Sequence, residues 1–345
     1  MKTYIYLCFL LLFILIFTPA LAIPADISVS YDEIGDTALE KVKEVFGESK
    51  LGEVVEKVDA KGSAEQTEEE TISVMLHSSG QTVDVAMKEY LCGAVAGEMP
   101  AVYDEEALKA QAVACYTYAK TKEAAGVVIT DNPEINQSYL SKDELRKKWG
   151  DKFDVYYGKI EKAVSEVMGE YLTYEGKLVS TIAYHAISSG NTESAADIWG
   201  GDEIPYLVSV ESSVDALSPD YKVTTVYTVD QIKDKLVAAG ISCDFSAYTD
   251  DKTVVGVVRT VNGAVQTITI CGVDLSGSAF REALGLRSLN YNISVKNKTF
   301  TITTFGYGHG VGMSQYGAKA MAEQGYTYID ILNFYYTGIS LERVG

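Results

Sequence analysis

The chain has 345 residues, 48 of them acidic and 29 basic, for a net charge of −19 at pH 7. That balance excludes a nucleic-acid partner, which needs a basic stripe, and disfavours docking on anionic lipid or on cell-wall polyanions. A neutral ligand suits such a surface better, and the length is ample for one elaborate domain or two smaller ones.

Met1 and Lys2 precede an uncharged stretch from Thr3 to Ala25, densely apolar between Tyr4 and Phe17. Ala20-x-Ala22 has the small-residue pattern of a signal-peptidase site. The apolar core is short for a spanning helix, but the whole uncharged stretch is nearly long enough for one. Residues 1–22 are therefore read as a signal peptide or a membrane anchor, with the body of the protein exported: extracytoplasmic, and either membrane-anchored or secreted. Residues 23–70, ending in SAEQTEEE, read as an acidic spacer, and residues 71–345 as the main domain. Outside the leader the cysteines are Cys92, Cys115, Cys243 and Cys271. With apolar neighbours and no Cys-x-x-Cys pair, they are expected to be buried thiols or structural bridges, the latter with three possible connectivities.

TISVMLH, a turn, and QTVDVAM alternate like a strand pair. MKEYLCGAVAG then has helical spacing, and Gly97-Glu98-Met99-Pro100 interrupts it, because proline disfavours helical backbone in the residue before it. A second helix starts after Asp104, with Glu105 and Glu106 suited to its dipole, and runs to about Ala125. Residues 130–149 are polar and rich in turn formers, and a helix is expected over 156–168. YLTYEGKLVSTIAYHAIS reads as a hairpin whose second strand delivers His185, followed by a loop, SSGNTESAADIW. A strand and a helix fill 223–240. VVGVVRTVNGAVQTITICG and YNISVKNKTFTITTFGYG read as hairpins bracketing a short helix in SGSAFREALGLRS. AKAMAEQG and YIDILNFYY are helical, with an extended end. Helices and strands mix without a βαβ rhythm, so the fold class is α+β.

FGYGHGVGMSQYGA, residues 305–318, has glycine at every second position from Gly306 to Gly312. No frame satisfies the dinucleotide fingerprint, and no Gly-Lys-Ser/Thr makes a phosphate loop. GMSQY misses the nucleophile elbow by its last residue. With only His77, His185 and His309 in the chain, ligand density for a metal is absent, and none is predicted. Alternating glycine is expected to give an extended backbone with one bare face, on which Phe305, Tyr307, His309, Val311 and Met313 point the other way.

The residues from Gly306 to Leu341 strongly resemble the C-terminal signature of the SpoIID/LytB domain family. EYLCGAVAGEMPAVYDEEALKAQAVACYTYA, YHAISSGNTESAADIWGGDEIPYLVSVES and LSGSAFREALGLRS match three further family motifs in the expected order, so the resemblance runs from about Thr71 to the end. It implies a SpoIID-like domain with a substrate groove and a lytic transglycosylase activity, which cuts between N-acetylmuramic acid and N-acetylglucosamine without water. By resemblance, Glu98 is the catalytic acid. Lys109, Gln111, His185, Ser188, Ser189, Thr192, Glu193, His309, Ser314, Gln315 and Tyr316 match motif positions expected to bind substrate or support the groove. No cofactor is implied, and the partners are peptidoglycan glycan strands stripped of peptide, the cell-wall amidase that strips them and a membrane complex, in spore formation. Tyr116 stands where relatives usually have arginine, and Gly190-Asn191 replaces a paired glycine. VVITDNPEINQSYL lacks the histidine and cysteines with which some relatives hold zinc. Lytic cleavage needs one carboxyl that is protonated near neutrality, which partial burial achieves, and Glu98 sits in an apolar local context. The rival readings are a hydrolase with Glu193 or Asp197 as second carboxylate, and a non-catalytic glycan binder that activates an amidase.

Overall fold

The computed structural model describes residues 70–344 apart from 134, 247, 248 and 251. The leader and all of the spacer but Glu70 lie outside the described residues. Strands β1 (Thr71–Met75) and β2 (Thr82–Ala86) form the antiparallel pair that their alternation predicts. The chain passes directly into helix α1 (Met87–Glu98), and Pro100 drives Met99 into extended backbone, at φ −127° and ψ 139°, so that the helix stops on Glu98. Helix α2 (Glu105–Ala124) follows Asp104, which occupies the N-cap position without making a side-chain cap bond. Strand β3 (Ile129–Thr130) joins β1 in parallel.

Three local expectations are corrected further along. The turn-rich segment 130–149 ends in a helix, α3 (Lys142–Trp149), closed by a capping box between Ser141 and Glu144. Its only buried residue is Leu145, so apolar periodicity had little to register there. After α4 (Phe153–Val167), strands β4 (Glu170–Tyr174) and β5 (Lys177–Leu178) form a hairpin that stops short of His185. His185 instead lies on a separate two-residue strand, β6 (Tyr184–His185), which pairs in parallel with a strand near the C-terminus. The segment read as a loop holds α5 (Ala195–Trp199), capped by the Ser194 hydroxyl.

The next stretch follows the predicted pattern: β7 (Lys222–Thr228), α6 (Val229–Ala238), β8 (Val254–Arg259), β9 (Val265–Ile270), β10 (Val273–Ser276), α7 (Gly277–Leu284), β11 (Tyr291–Lys296) and β12 (Thr299–Phe305). Two three-stranded antiparallel sheets result, ordered β11-β12-β7 and β10-β9-β8. Alternation along β12 turns Phe300, Ile302 and Thr304 inward. Strand β13 (Met313–Ser314), helices α8 (Gln315–Glu323) and α9 (Tyr328–Tyr335), and strand β14 (Ile339–Arg343) complete the fold. Strand β14 closes on β4 in antiparallel register. The mixture is α+β, as predicted.

Two apolar clusters hold these elements. The larger surrounds α2, whose buried Ala107, Ala110, Ala112, Ala114 and Ala119 let α1, α4, α8, α9 and β4 approach it closely. The smaller joins Ile232 and Leu236 of α6 to Val265, Ile268, Phe280, Tyr291, Phe300 and Ile302. All four described cysteines are free thiols, with Cys92 and Cys115 buried and Cys243 and Cys271 partly so.

Candidate active site

Glu98 is the last residue of α1, half-buried, and its environment is built by segments distant in sequence. The Ser138 backbone N–H donates to its Oε1 at 2.5 Å. That approach needs bare helix surface. A Cβ at Gly97 would lie 2.5 Å from the Ser138 hydroxyl, and one at Gly93 2.4 Å from the Leu140 carbonyl. The pair of glycines one turn apart on α1 thus makes the bed on which loop 137–140 lies. The Gln315 amide donates to Gln111 Oε1 at 3.3 Å and lies beside the Glu98 carboxylate, where it favours the charged form. Gln111 in turn donates to Cys115 Sγ at 3.4 Å.

Tyr184 completes the surroundings. Its hydroxyl donates to Gln137 Oε1 at 3.0 Å, and the Gln137 amide donates to the Tyr90 hydroxyl at 2.5 Å. Burial raises the Glu98 carboxyl above the ordinary carboxylate range, and the Ser138 and Gln315 donors pull it partly back. Burial also pushes the Cys115 thiol up to about 12 and raises the Tyr184 phenol. Glu98 is therefore surrounded by neutral groups near pH 7. Ser138, Gln137 and Tyr184 were not among the residues the sequence singled out. The Gly93/Gly97 spacing was the available sign that something lies against α1, though it does not name the segment.

The glycine-rich stretch is not extended. Strand β12 ends at Phe305, and Gly306, Gly308, Gly310 and Gly312 all take positive φ, from 72° to 113°. This breaks the expected one-sided array: Tyr307 is exposed, whereas Val311 and Met313 are fully buried. The loop threads between the segment of Ile187 and Glu193 and the segment of Arg287. Ile187 and Tyr307 exchange both backbone bonds, the Glu193 N–H donates to the Gly310 carbonyl at 2.7 Å, and the Gly308 N–H donates to the Arg287 carbonyl at 2.9 Å. A Cβ at Gly312 would fall 2.0 Å from the Ala183 carbonyl oxygen, so this close approach is open to glycine alone.

The two histidines grip one residue of that loop. His185 Nδ1–H donates to the Val311 carbonyl at 3.1 Å, and the Val311 N–H donates to His309 Nδ1 at 3.0 Å. The Tyr184 backbone lies beside the His309 ring. The rings lie 5.8 Å apart between centroids. Burial holds the pKa of His185 down to about 3 and, with the Arg281 cation, that of His309 down to about 4, so both are neutral near pH 7. His185 Nε2 is buried without a partner. Trp199, half-exposed at the end of α5, lays its ring 5.4 Å from that of His309.

The remaining predicted site residues separate into other groups. Glu193 is 2% exposed; its Oε1 accepts from the Thr260 hydroxyl at 3.1 Å, its Oε2 has no partner, and burial raises its carboxyl. Ser188 and Ser314 are buried, and both donate to the Asp215 carboxylate. Thr192 Oγ1 accepts from the Val210 N–H at 2.9 Å. The Ser189 carbonyl accepts from the Tyr221 hydroxyl at 3.0 Å. The Tyr316 N–H donates to the Ala186 carbonyl, and Lys319 lies over the Tyr316 ring. Lys109 is two residues from Gln111, about 200° round the helix, and is ion-paired there with Glu105, Glu106 and Glu166. Tyr116, at the position where an arginine was expected, donates its hydroxyl to Glu70 at 3.0 Å.

A scan against protein families matches residues 77–174 to the SpoIID family, described as Stage II sporulation protein. Stage II sporulation protein D of Bacillus subtilis is 34% identical over 305 residues, covering 86% of each chain. The protein of the same name from Bacillus amyloliquefaciens is 37% identical over 294 residues, covering 83% of each. An amidase enhancer of Bacillus subtilis is 28% identical over 298 residues, which is 73% of this chain and 40% of that protein. With more than a third of residues identical across most of both Bacillus sporulation proteins, the chain belongs to the stage II sporulation protein D family.

Proposed function

We propose that the protein is an exported lytic transglycosylase that cleaves peptidoglycan glycan strands during spore formation. Glu98 acts first as general acid and then as general base. Its protonated carboxyl gives a proton to the glycosidic oxygen as the bond to the anomeric carbon of N-acetylmuramic acid breaks. The 6-hydroxyl oxygen of the same sugar bonds to that carbon, and its proton passes to the Glu98 carboxylate, leaving a 1,6-anhydro end and a regenerated acid. The observation that carries this reading is the state of Glu98: half-buried, raised above the ordinary carboxylate range and set among neutral groups. Glu193 and Asp197, the two candidates for a hydrolase's second carboxylate, are engaged elsewhere, one with Thr260 and one with the Ser194 cap. The −19 charge favours strands whose peptides an amidase has already removed. The half-exposed Trp199 ring offers a flat face to a sugar.

The full-length protein, incubated with peptide-free glycan strands, should release fragments whose mass shows anhydro ends. Glu98→Gln should lower the rate by at least about 1,000-fold while strand binding persists. Reducing ends would instead indicate a hydrolase. The second reading, a non-catalytic activator of an amidase, draws on the 28% identical amidase enhancer. It requires intact strands in this assay and faster amidase turnover when the protein is added.

A further inference from the structure

Asp215 lies in the short 3-10 turn Ser213–Leu217 and is 0% exposed. Three serine hydroxyls converge on its carboxylate: Ser188 and Ser212 donate to Oδ2 at 2.5 and 2.7 Å, and Ser314 donates to Oδ1 at 2.7 Å. The Tyr335 hydroxyl of α9 lies 2.8 Å from Ser212 Oγ. Gly317 makes the room, since a Cβ there would sit 1.9 Å from that tyrosine oxygen. A buried carboxylate without a cation is costly, and a neutral side chain would tie the same segments together at less expense. Accepting three hydrogen bonds, the Asp215 carboxylate fixes the direction of the Ser314 hydroxyl.

Ser314 is the N-cap of α8, and its hydroxyl accepts from the Gly317 N–H at 3.2 Å. The hydroxyl has one proton, and Asp215 takes it, so the cap must face the helix as an acceptor. The next residue, Gln315, opens the helix, donates to Gln111 and lies beside the Glu98 carboxylate. We infer that Asp215 is a positioning residue for the catalytic acid: through Ser314 it holds the first turn of α8 in the orientation that presents the Gln315 amide to Glu98. The inference rests on the reading of Glu98 as the acid proposed above. Asp215 acts on Tyr335, Tyr221 and Tyr103, and Glu98 acts on Cys115, Tyr184 and Tyr90. Burial and the Ser138 donor also set the Glu98 carboxyl, so a shift is assigned to the Gln315 contact by comparison with Gln315→Ala and with the double variant.

The test uses the full chain with carbon-13 in its glutamate carboxyls, Glu98 being assigned by its loss in Glu98→Gln. Its titration is followed in the wild type, Asp215→Asn, Ser314→Ala and Gln315→Ala, alongside kcat against pH. Losing a donor to the charged carboxylate raises its pKa. Each variant should therefore titrate about one pH unit higher and carry the alkaline limb of kcat upward with it. Asp215→Asn added to Gln315→Ala should shift the titration no further. A folded Asp215→Asn or Ser314→Ala protein in which Glu98 titrates as in the wild type overturns the inference. If Asp215→Asn does not fold, Ser314→Ala, which keeps the carboxylate and two of its donors, decides alone by the same criterion. A wild type that cleaves no glycan sinks the transglycosylase reading, whereas the carboxyl titrations still judge the role of Asp215.

Discussion

Glu98 and the histidines show how far a side chain's chemistry depends on what is folded against it. The Glu98 carboxyl takes a donor from Ser138 and lies beside Gln315, with a neutral shell of Gln111, Cys115 and Tyr184. His309, expected from its motif to contact substrate or support the groove, faces backbone: it accepts from Val311 and lies beside Tyr184. The neighbouring Trp199 ring, which no motif reading singled out, is half-exposed. Trp199→Ala should raise KM for glycan strands about fivefold with little change in kcat, because the loss is of uniform ring-to-sugar contact. An unchanged KM in steady-state kinetics would remove Trp199 from the binding surface. Thermal stability should stay within about 0.5 kcal/mol, as for other exposed sites.

At the scale of elements, the glycine-rich loop acts through backbone geometry rather than through an exposed face. Its four positive-φ glycines let it pass between the segment that carries Ile187 and Glu193 and the segment that carries Arg287, bonded to both. At Gly312, φ is +72° and an added Cβ would meet the Ala183 carbonyl at 2.0 Å. Gly312→Ala combines a strained backbone with a steric overlap, and should cost about 3 kcal/mol in denaturant unfolding. Because β13 begins at the next residue and leads straight into Gln315, activity in that variant should fall together with stability. Helix α1 makes the complementary point, since Gly93 and Gly97 clear its surface for the loop that supplies the Ser138 donor.

Across the whole molecule, buried ionisable groups set the response to acid. His185 and His309 have folded pKa values of about 3 and about 4, below the ordinary value of 6.5. The unfolded chain therefore binds their protons first. Their contribution to stability is full above about pH 6.5 and is lost as pH falls towards 4. The raised carboxyls of Glu98, Glu193 and Asp215 act in the opposite sense, since they favour the fold as they become protonated. His309→Gln keeps an acceptor for Val311 and a donor for Tyr184 without a titrating ring. Its melting temperature should fall less than that of the wild type between pH 7 and 4.5, and equal slopes would show that His309 does not drive the acid limb.

Period-two alternation and helical spacing were enough to recognise β1, β2, α1, α2 and the hairpins of residues 254–305, because each buries one face and its pattern is local. Pro100 alone ended α1 at Glu98, and the ordered motifs were enough to name the family. Tertiary structure decided the rest. It separated β6 from the hairpin and paired it with β13, turned the glycine array into a threaded loop, and placed Lys109 among carboxylates away from Gln111. It also gathered Ser188, Ser212 and Ser314 onto Asp215, an aspartate that no spacing distinguishes from its neighbours. The physical reason is the range of the forces involved. Backbone preference and amphipathic burial act over one turn or one strand, whereas the donors that set a buried carboxyl come from whichever distant segments the core brings beside it.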